Sequence, residues 1–339
     1  MDREHQGEAR QGGVTRRRLL QGLGLGAAGV LLPASVAWGM SGPARRGGPL
    51  HDQAGTAPEA RARLFDPARA WDHLLRQVDA GPRVPGMPGH AAVREYLLRE
   101  LEAVCDQVEA QDFTWDVRGT TLRLSNVIGV LGPERPEKVV LAAHWDTRPW
   151  ADQDRNPANR QTPIPGANDG ASGVAVLLEV ARVLRQAAPP VGVVFVMFDG
   201  EDYGPDIDAM FLGSRYYARN LVPARPAWGI LLDMVGDRDL QIPREGISQQ
   251  HAPAVNDRVW AAARTLGRPE FVDRVGPPVL DDHVPLLEVG VPMIDVIDFD
   301  YGPGHAWWHT LEDTPDKCSP ASLEAVGQVV LATLYAAGG

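Results

Sequence analysis

The apolar positions of the chain repeat in two periods that alternate over most of its length. From residue 138 onward, four runs rich in Val, Ile, Leu and Phe are each followed by a stretch with apolar residues at helical spacing. The predicted strands are Lys138–Ala143, Gly192–Phe198, Ala227–Val235 and Pro292–Phe299, and the predicted helices are Ser172–Arg185, Gly213–Asn220, Pro253–Leu266 and Pro320–Tyr335. Strands without a polar face are buried on both sides. The pattern therefore predicts an α/β fold of three layers (α/β/α), with a mixed, mainly parallel central sheet.

Upstream of this alternation, the sequence pattern predicts two helices and a hairpin. Asp66-Pro67 is typical of a helix start, and a second helix is predicted over Ala91–Val104. The segments Asp112–Val117 and Thr121–Leu131 alternate in polarity around Arg118-Gly119, which predicts a β-hairpin at an antiparallel edge of the sheet.

The first 62 residues have a different composition. Residues 1–37 contain Arg16-Arg17-Arg18, an apolar run from Leu23 to Leu32 and a small-x-small site at Ser35-Val36-Ala37, which together predict a twin-arginine signal peptide. An uncleaved anchor is the alternative, but the run is about half of the ~20 residues that a membrane span needs. We therefore expect export to the periplasm or medium, no stable membrane span after cleavage, a disordered leader over residues 38–62, and one catalytic domain over residues 63–339.

The net charge limits the binding partners that can be expected, and the cysteine count limits the possible disulfides. The formal net charge is −11, and downstream of the signal peptide the only basic cluster is Arg45-Arg46, so nucleic acid is not an expected partner. An acidic cleft suits a cationic group such as a peptide amino terminus. Cys105 and Cys318 are the only cysteines, and the sequence leaves open whether they form a bridge.

Acids and imidazoles follow the predicted strands, and two of the intervening loops, residues 145–171 and 199–212, are long. Because the ends of parallel strands meet at one edge of a sheet, His144, Asp169, the Glu201-Asp202 pair, Asp233 and His309 should converge there. These groups would repel one another without matching Lys or Arg, and a divalent cation is the simplest compensation. Catalytic zinc takes three protein ligands and keeps one position open, and we expect Asp169, Asp202 and His309 to be those ligands.

Some of these residues also have an alternative interpretation. Asp169 could be only a helix N-cap, and Glu201-Asp202 could be an acidic surface turn. Arg148 and Arg155 with Asp152 and Asp154 are expected to form a solvated loop with weak ion pairs.

Seven motifs, taken in order, resemble the zinc aminopeptidase-like M28 family, and more narrowly its glutaminyl cyclase branch. They are His144-Trp145-Asp146-Thr147, the run from Gly166 to Gly173, Phe198 to Asp202, Leu212 to Arg215, Leu232 to Gly236, Asp281 to Pro285, and Trp308-His309-Thr310. The resemblance covers about Asp66 to the C-terminus. Animal members usually carry Glu where this chain has Asp202, so the carboxylate here is one methylene shorter.

The resemblance implies one zinc ion held by Asp169, Asp202 and His309, with Glu201 as the proton-transfer residue. It further implies Asp233 as the partner of the substrate amine and Asp281 as a carboxylate hydrogen-bonded near Glu201. Trp308, His283 and Trp145 are the expected substrate-binding residues, although His283 could instead brace Asp281.

The activity implied is cyclisation of the N-terminal glutamine of peptides to pyroglutamate. A carboxylate neighbour such as Asp281 should raise the pKa of Glu201.

An M28 aminopeptidase is the alternative activity. In that case His144 and Asp233 would bind a second zinc ion, with Asp169 bridging the two ions. A non-catalytic binding module on the same fold would be expected to lack Glu201 or a ligand, and none of them is missing.

Overall fold

Six strands form the central sheet in the computed structural model of the protein, which describes residues 57–337. They are β1 (Gln107–Val117), β2 (Thr120–Leu131), β3 (Lys138–His144), β4 (Gly192–Phe198), β5 (Trp228–Asp233) and β8 (Met293–Ile297), and a separate pair joins β6 (Ile242–Arg244) to β7 (Phe271–Val275). The sheet order is β1-β2-β4-β3-β5-β8. Strands β4, β3, β5 and β8 pair in parallel, whereas β2 pairs antiparallel with both β1 and β4. The predicted mixed, mainly parallel sheet is confirmed.

Helices cover both faces of this sheet. The helices are α1 (Pro58–Ala62), α2 (Pro67–Asp79), α3 (Pro88–Val104), α4 (Ala171–Gln186), α5 (Leu212–Arg219), α6 (Gly246–His251), α7 (Pro253–Leu266), α8 (His283–Glu288) and α9 (Pro320–Tyr335). The main core lies between one face and α2, α3, α4, α7 and α9, and a smaller core packs α5 and α8 on the other. Every residue of β4 is buried, as expected of a central strand between two helical layers.

The folded part begins earlier than predicted. Helix α1 forms at residues assigned to a disordered leader, and it packs against α9 with Ala62 fully buried. The predicted signal peptide and residues 38–56 of the leader lie outside the described residues. Helices α6 and α8 and the β6-β7 pair are also absent from the prediction, because elements of three to six residues are too short to show a period.

Two smaller questions are answered by the same structure. Cys105 and Cys318 are both free thiols, so the bridge that the sequence left open does not form. Among the helices within residues 57–337, none combines the length and the apolar character that crossing a bilayer requires.

Candidate metal centre

The parallel strands end in polar residues, and these ends lie at one edge of the sheet. His144 is the last residue of β3 and Asp233 is the last residue of β5, while Glu201 and Asp202 follow the end of β4. His309 comes from the loop after β8. All five side chains are buried, and the convergence expected from the strand pattern is found.

Asp169, Asp202 and His309 form one group that suits a metal ion. One possible ligand atom from each residue lies within 4.8 Å of the others. His309 Nε2 is 3.4 Å from Asp202 Oδ2 and 3.6 Å from Asp169 Oδ2. Asp202 Oδ2 is buried and has no hydrogen-bond partner in the protein, which is costly for a carboxylate oxygen unless a cation binds it. Two carboxylates and one imidazole are a donor set that zinc accepts, so the residues fit the metal.

A second group shares Asp169 with the first. His144 Nε2 lies 3.1 Å from Asp169 Oδ1 and 3.1 Å from Asp233 Oδ1, and these three residues also lie close enough together to hold a metal ion. Gly170 makes the approach of His144 possible, because a Cβ atom there would lie 2.3 Å from His144 Nε2. The oxygens of Asp169 thus face two different histidines, and the arrangement accommodates one ion or two.

Buried side chains distant in sequence hold the loop that carries Asp169. Asp313 accepts hydrogen bonds from the backbone N–H of Asn168 (2.8 Å) and of Asp169 (3.2 Å). Arg83 is fully buried and donates to the backbone carbonyls of residues 145, 165 and 166. Asp169 is not the N-cap of α4, since Gly170 occupies the cap position and no side chain caps that helix.

Asp146 performs the same task for the acidic pair after β4. Its two carboxylate oxygens accept the backbone N–H groups of Glu201 (3.1 Å) and Asp202 (3.2 Å). The pair is therefore a buried, fixed turn rather than an acidic surface turn. The two side chains diverge: Asp202 faces His309, while Glu201 Oε2 lies 3.7 Å from His144 Nδ1.

The position of Arg148 contradicts two predictions made from the sequence: that the acids lack a basic neighbour, and that this arginine lies in a solvated loop. It is 5% exposed and donates from Nη1 to Asp202 Oδ1 at 2.7 Å, so the acids do have a basic neighbour. It also makes two bonds to Asp152, from Nε at 2.8 Å and from Nη2 at 2.9 Å. Arg148 and Asp154 are thus buried rather than solvated, whereas Asp152 is partly exposed and Arg155 is exposed, as predicted for this loop. The prediction was wrong for Arg148 because the guanidinium reaches a partner 54 positions away.

Burial controls the protonation of Glu201. Loss of solvent raises its pKa well above the usual range, the charges of Asp202 and Asp281 raise it further, and His144 opposes them. The predicted rise is found, but its main cause is burial and Asp281 is a lesser one. Zinc, when bound, would act in the opposite direction by favouring the carboxylate.

Further acids lie behind Glu201. Burial also raises the pKa of Asp233, and it raises the pKa of Asp281 well above its usual range, with the charge of Asp233 adding to the effect. Asp295, on β8, is fully buried, and burial and the charge of Asp281 raise its pKa as well. The sequence analysis assigned no role to Asp295, nor to Asp282, which lies within one of the quoted motifs. The sequence contained a signal for Asp295, because an acid at the centre of an otherwise apolar strand is unusual.

The three expected substrate-binding residues have different environments. Trp308 is half-buried and stacks on His309, with ring centroids 3.6 Å apart, so it lies at the wall of the site. Trp145 is 0% exposed, stacks on His90 and donates to the carbonyl of Ser125. Its assignment to substrate binding is wrong, because adjacent residues of an extended segment point to opposite faces and His144 takes the face of the site.

His283 is also fully buried, with Nε2 3.4 Å from Glu245 Oε2. Glu245 in turn caps α6 by accepting the N–H groups of Ile247 and Ser248. The assignment of His283 to substrate contact is therefore corrected. A bracing role fits better, but its partner is Glu245 rather than Asp281.

Comparison with known proteins identifies relatives of the whole domain. The model of peptidase family M28 matches residues 126–334. A glutaminyl-peptide cyclotransferase-like protein of Bos taurus is 28% identical over 313 residues, which is 81% of this chain and 78% of that protein.

Two solved structures of Bacteroides thetaiotaomicron proteins are similar over the same domain. The structure of a glutaminyl cyclase bound to N-acetylhistamine is 41% identical and has a TM-score of 0.77, with 80% of this chain and 98% of that chain covered. The structure described as a leucine aminopeptidase precursor is 40% identical with a TM-score of 0.77, and it covers 80% of this chain and 97% of that one.

Proposed function

Since this chain belongs to peptidase family M28 and is similar to glutaminyl cyclases over its whole domain, we propose that it converts the N-terminal glutamine of peptides to pyroglutamate and releases ammonia. The observation that carries the proposal is the position of Glu201, a buried carboxyl with a raised pKa next to the group formed by Asp169, Asp202 and His309. A carboxyl of this kind can both take up and release a proton during one turnover.

The reaction joins the α-amine of glutamine to its own γ-amide carbon. The γ-carbonyl is a poor electrophile because of amide resonance, and zinc, when bound by Asp169, Asp202 and His309, supplies Lewis-acid polarisation. Glu201 accepts a proton from the attacking amine and returns it to the departing nitrogen. The C–N bond of the ring forms, the bond to the amide nitrogen breaks, and ammonia leaves with the transferred proton.

Asp233 and Trp308 position the substrate in this proposal. Asp233 ends β5 beside His144, where its carboxylate can accept a hydrogen bond from the substrate amine. Asp281, whose Oδ1 accepts the backbone N–H of Asp282, is proposed to act on Glu201 through its charge. Trp308, stacked on His309, offers a flat wall against which the folded glutamine side chain can pack, and this restriction favours ring closure.

The aminopeptidase alternative has one specific observation in its favour. His144, Asp169 and Asp233 form a complete second ligand group, and one similar structure is described as a leucine aminopeptidase precursor. With two ions, Glu201 would assist a water molecule instead of the substrate amine. We propose a single ion, bound by Asp169, Asp202 and His309, and assign Asp233 to the substrate.

The place of action is proposed from residues 1–37. The arginine-containing start and short apolar run favour export through the twin-arginine route to the periplasm or the medium. Peptide and protein amino termini, preferentially those that begin with glutamine, are the proposed partners there.

One assay separates the two activities. The purified protein is incubated with a Gln-initiated peptide and with a Leu-initiated peptide of otherwise equal sequence, and the products are weighed. Cyclisation lowers the mass of the first peptide alone by about 17 Da, the mass of ammonia. Shortened peptides would support the aminopeptidase instead, and zinc content per chain, measured on the same sample, would test the proposed single ion.

A further inference from the structure

Arg148 is placed so that it occupies one oxygen of a proposed zinc ligand and leaves the other free. Its Nη1 donates to Asp202 Oδ1 at 2.7 Å, and Asp202 Oδ2 has no hydrogen-bond partner and lies 3.4 Å from His309 Nε2. The two oxygens of this carboxylate therefore have different surroundings. One meets a guanidinium, and the other faces the ligand atom of His309.

Asp152 holds the guanidinium in that position, and the surrounding backbone is built to fit it. Asp152 binds its Nε and Nη2 atoms in a two-pronged contact at 2.8 and 2.9 Å. Gly204 leaves room for it, because a Cβ atom there would lie 2.8 Å from Arg148 Nη1. The backbone carbonyl of Arg148 accepts the N–H of Ile164, which ties the residue to the far end of its loop. A fixed guanidinium cannot easily turn away from Asp202.

Asp152, which binds Arg148, also lies close to His309, a second proposed zinc ligand. Its Oδ1 atom, which binds Arg148, lies 3.4 Å from His309 Nδ1. A carboxylate on that side of the ring favours a proton on Nδ1 and leaves Nε2 for a metal. Arg148 and Asp152 thus connect Asp202 to His309 from the side opposite the ligand atoms.

We propose that Arg148 keeps Asp202 a one-oxygen ligand and thereby preserves the open position of the zinc ion. An aspartate with both oxygens free can bind a cation through one or through two of them, and two-oxygen binding would fill a position that the substrate carbonyl needs. Arg148 is a positioning residue in this proposal, because it acts on the substrate only through Asp202. The inference rests on the zinc site proposed above.

The test uses cobalt(II) in place of zinc, because the visible absorption of cobalt weakens and shifts when coordination expands from four to five. Arg148→Met removes the guanidinium and retains much of the side-chain volume, and Arg155→Met is the control, since Arg155 is an exposed arginine of the same loop. We expect Arg148→Met to lose absorption intensity and to lower turnover of a Gln-initiated peptide by about 10–100-fold. Arg155→Met should match the unmodified protein in both measurements.

A double variant tests whether the second oxygen of Asp202 is responsible. In Arg148→Met with Asp202→Asn, the side chain at 202 has only one oxygen, so we expect the four-coordinate spectrum to return at saturating cobalt. Expanded coordination in this double variant would overturn the proposal. An unchanged spectrum in Arg148→Met would also overturn it, even if the unmodified protein cyclises glutamine and binds one ion.

A measurement on the unmodified protein keeps the proposal open to refutation if Arg148→Met does not fold. In a crystal structure of the zinc-loaded protein, Asp202 should bind zinc through Oδ2 alone, with Oδ1 on Arg148. Two-oxygen binding by Asp202 would overturn this inference while leaving the zinc site in place. Absence of metal from Asp169, Asp202 and His309 would overturn both this inference and the proposed function.

Discussion

The proposed proton transfer makes Glu201→Gln the most informative single substitution. The amide has nearly the shape of the carboxyl, and the backbone N–H of residue 201 would still bind Asp146 Oδ1 at 3.1 Å, so the side chain should keep its place. The three proposed zinc ligands are not changed. The variant therefore removes one property, the ability to take up and release a proton.

The expected loss of kcat can be estimated because Glu201→Gln removes only the proton-transfer function. General acid–base catalysis by a positioned group contributes about 10²–10⁴-fold, which corresponds to about 3–5 kcal/mol in the activation free energy. Glu201 is 7% exposed, so bulk water has little access to replace it as a proton carrier. We expect kcat to fall by that factor, while KM changes little because substrate contacts remain.

The assay measures ammonia release from a Gln-initiated peptide together with the zinc content of each sample. Glu288→Gln is the matched control, because it removes the same charge from an exposed position at the end of α8 and should leave turnover unchanged. If Glu201→Gln retained kcat within about threefold of the unmodified protein at equal zinc content, proton transfer by this residue would be refuted.

Three further predictions concern binding and stability. Trp308→Ala should raise KM for Gln-initiated peptides by about 2–10-fold, the value of one aromatic contact, and a substrate titration tests this. Arg83→Met should lower the free energy of unfolding in urea by more than about 2 kcal/mol, because two buried carbonyls and one half-buried carbonyl lose their donor; a smaller loss would contradict the role given to Arg83. Burial lowers the pKa of His73 from 6.5 to about 4, so the unfolded chain binds a proton that the folded chain excludes. The contribution of His73 to stability should therefore fall as pH drops from about 6.5 to about 4, by up to about 3 kcal/mol, while buried acids with raised pKa values such as Asp281 change stability in the opposite direction. His73→Gln should remove that part of the pH dependence, as measured by urea unfolding of both proteins at several pH values.

The strands and longer helices could be predicted because their buried positions are apolar and recur at the period of a strand or a helix. Helices α7 and α9 have the predicted bounds, since each begins with proline and is long enough to show its period. Helix α8 begins at His283, inside a motif interpreted for its chemistry, and its six residues are too few for a period to appear.

The same logic explains which parts of the site were found. His144 and Asp233 could be predicted because parallel strands bring their ends together regardless of the details of the loops. Arg148 and Asp313 could not, because their partners lie 54 and 144 or 145 positions away and nothing local marks the contact. Trp145 was misassigned because the motif was taken as a unit, although successive side chains of an extended segment face opposite ways.

The order of the strands in the sheet has a consequence for how such enzymes can change. Neighbouring strands β4, β3 and β5 each contribute a separate component of the site from a separate loop or strand end. Substitutions in the loops at this edge of the sheet can therefore change the number of ions or the attacking group while the sheet and its helices are retained. Proteins described as a cyclase and as an aminopeptidase can then share one architecture, and exchanging a few rim segments between them is a practical route to converting one reaction into the other.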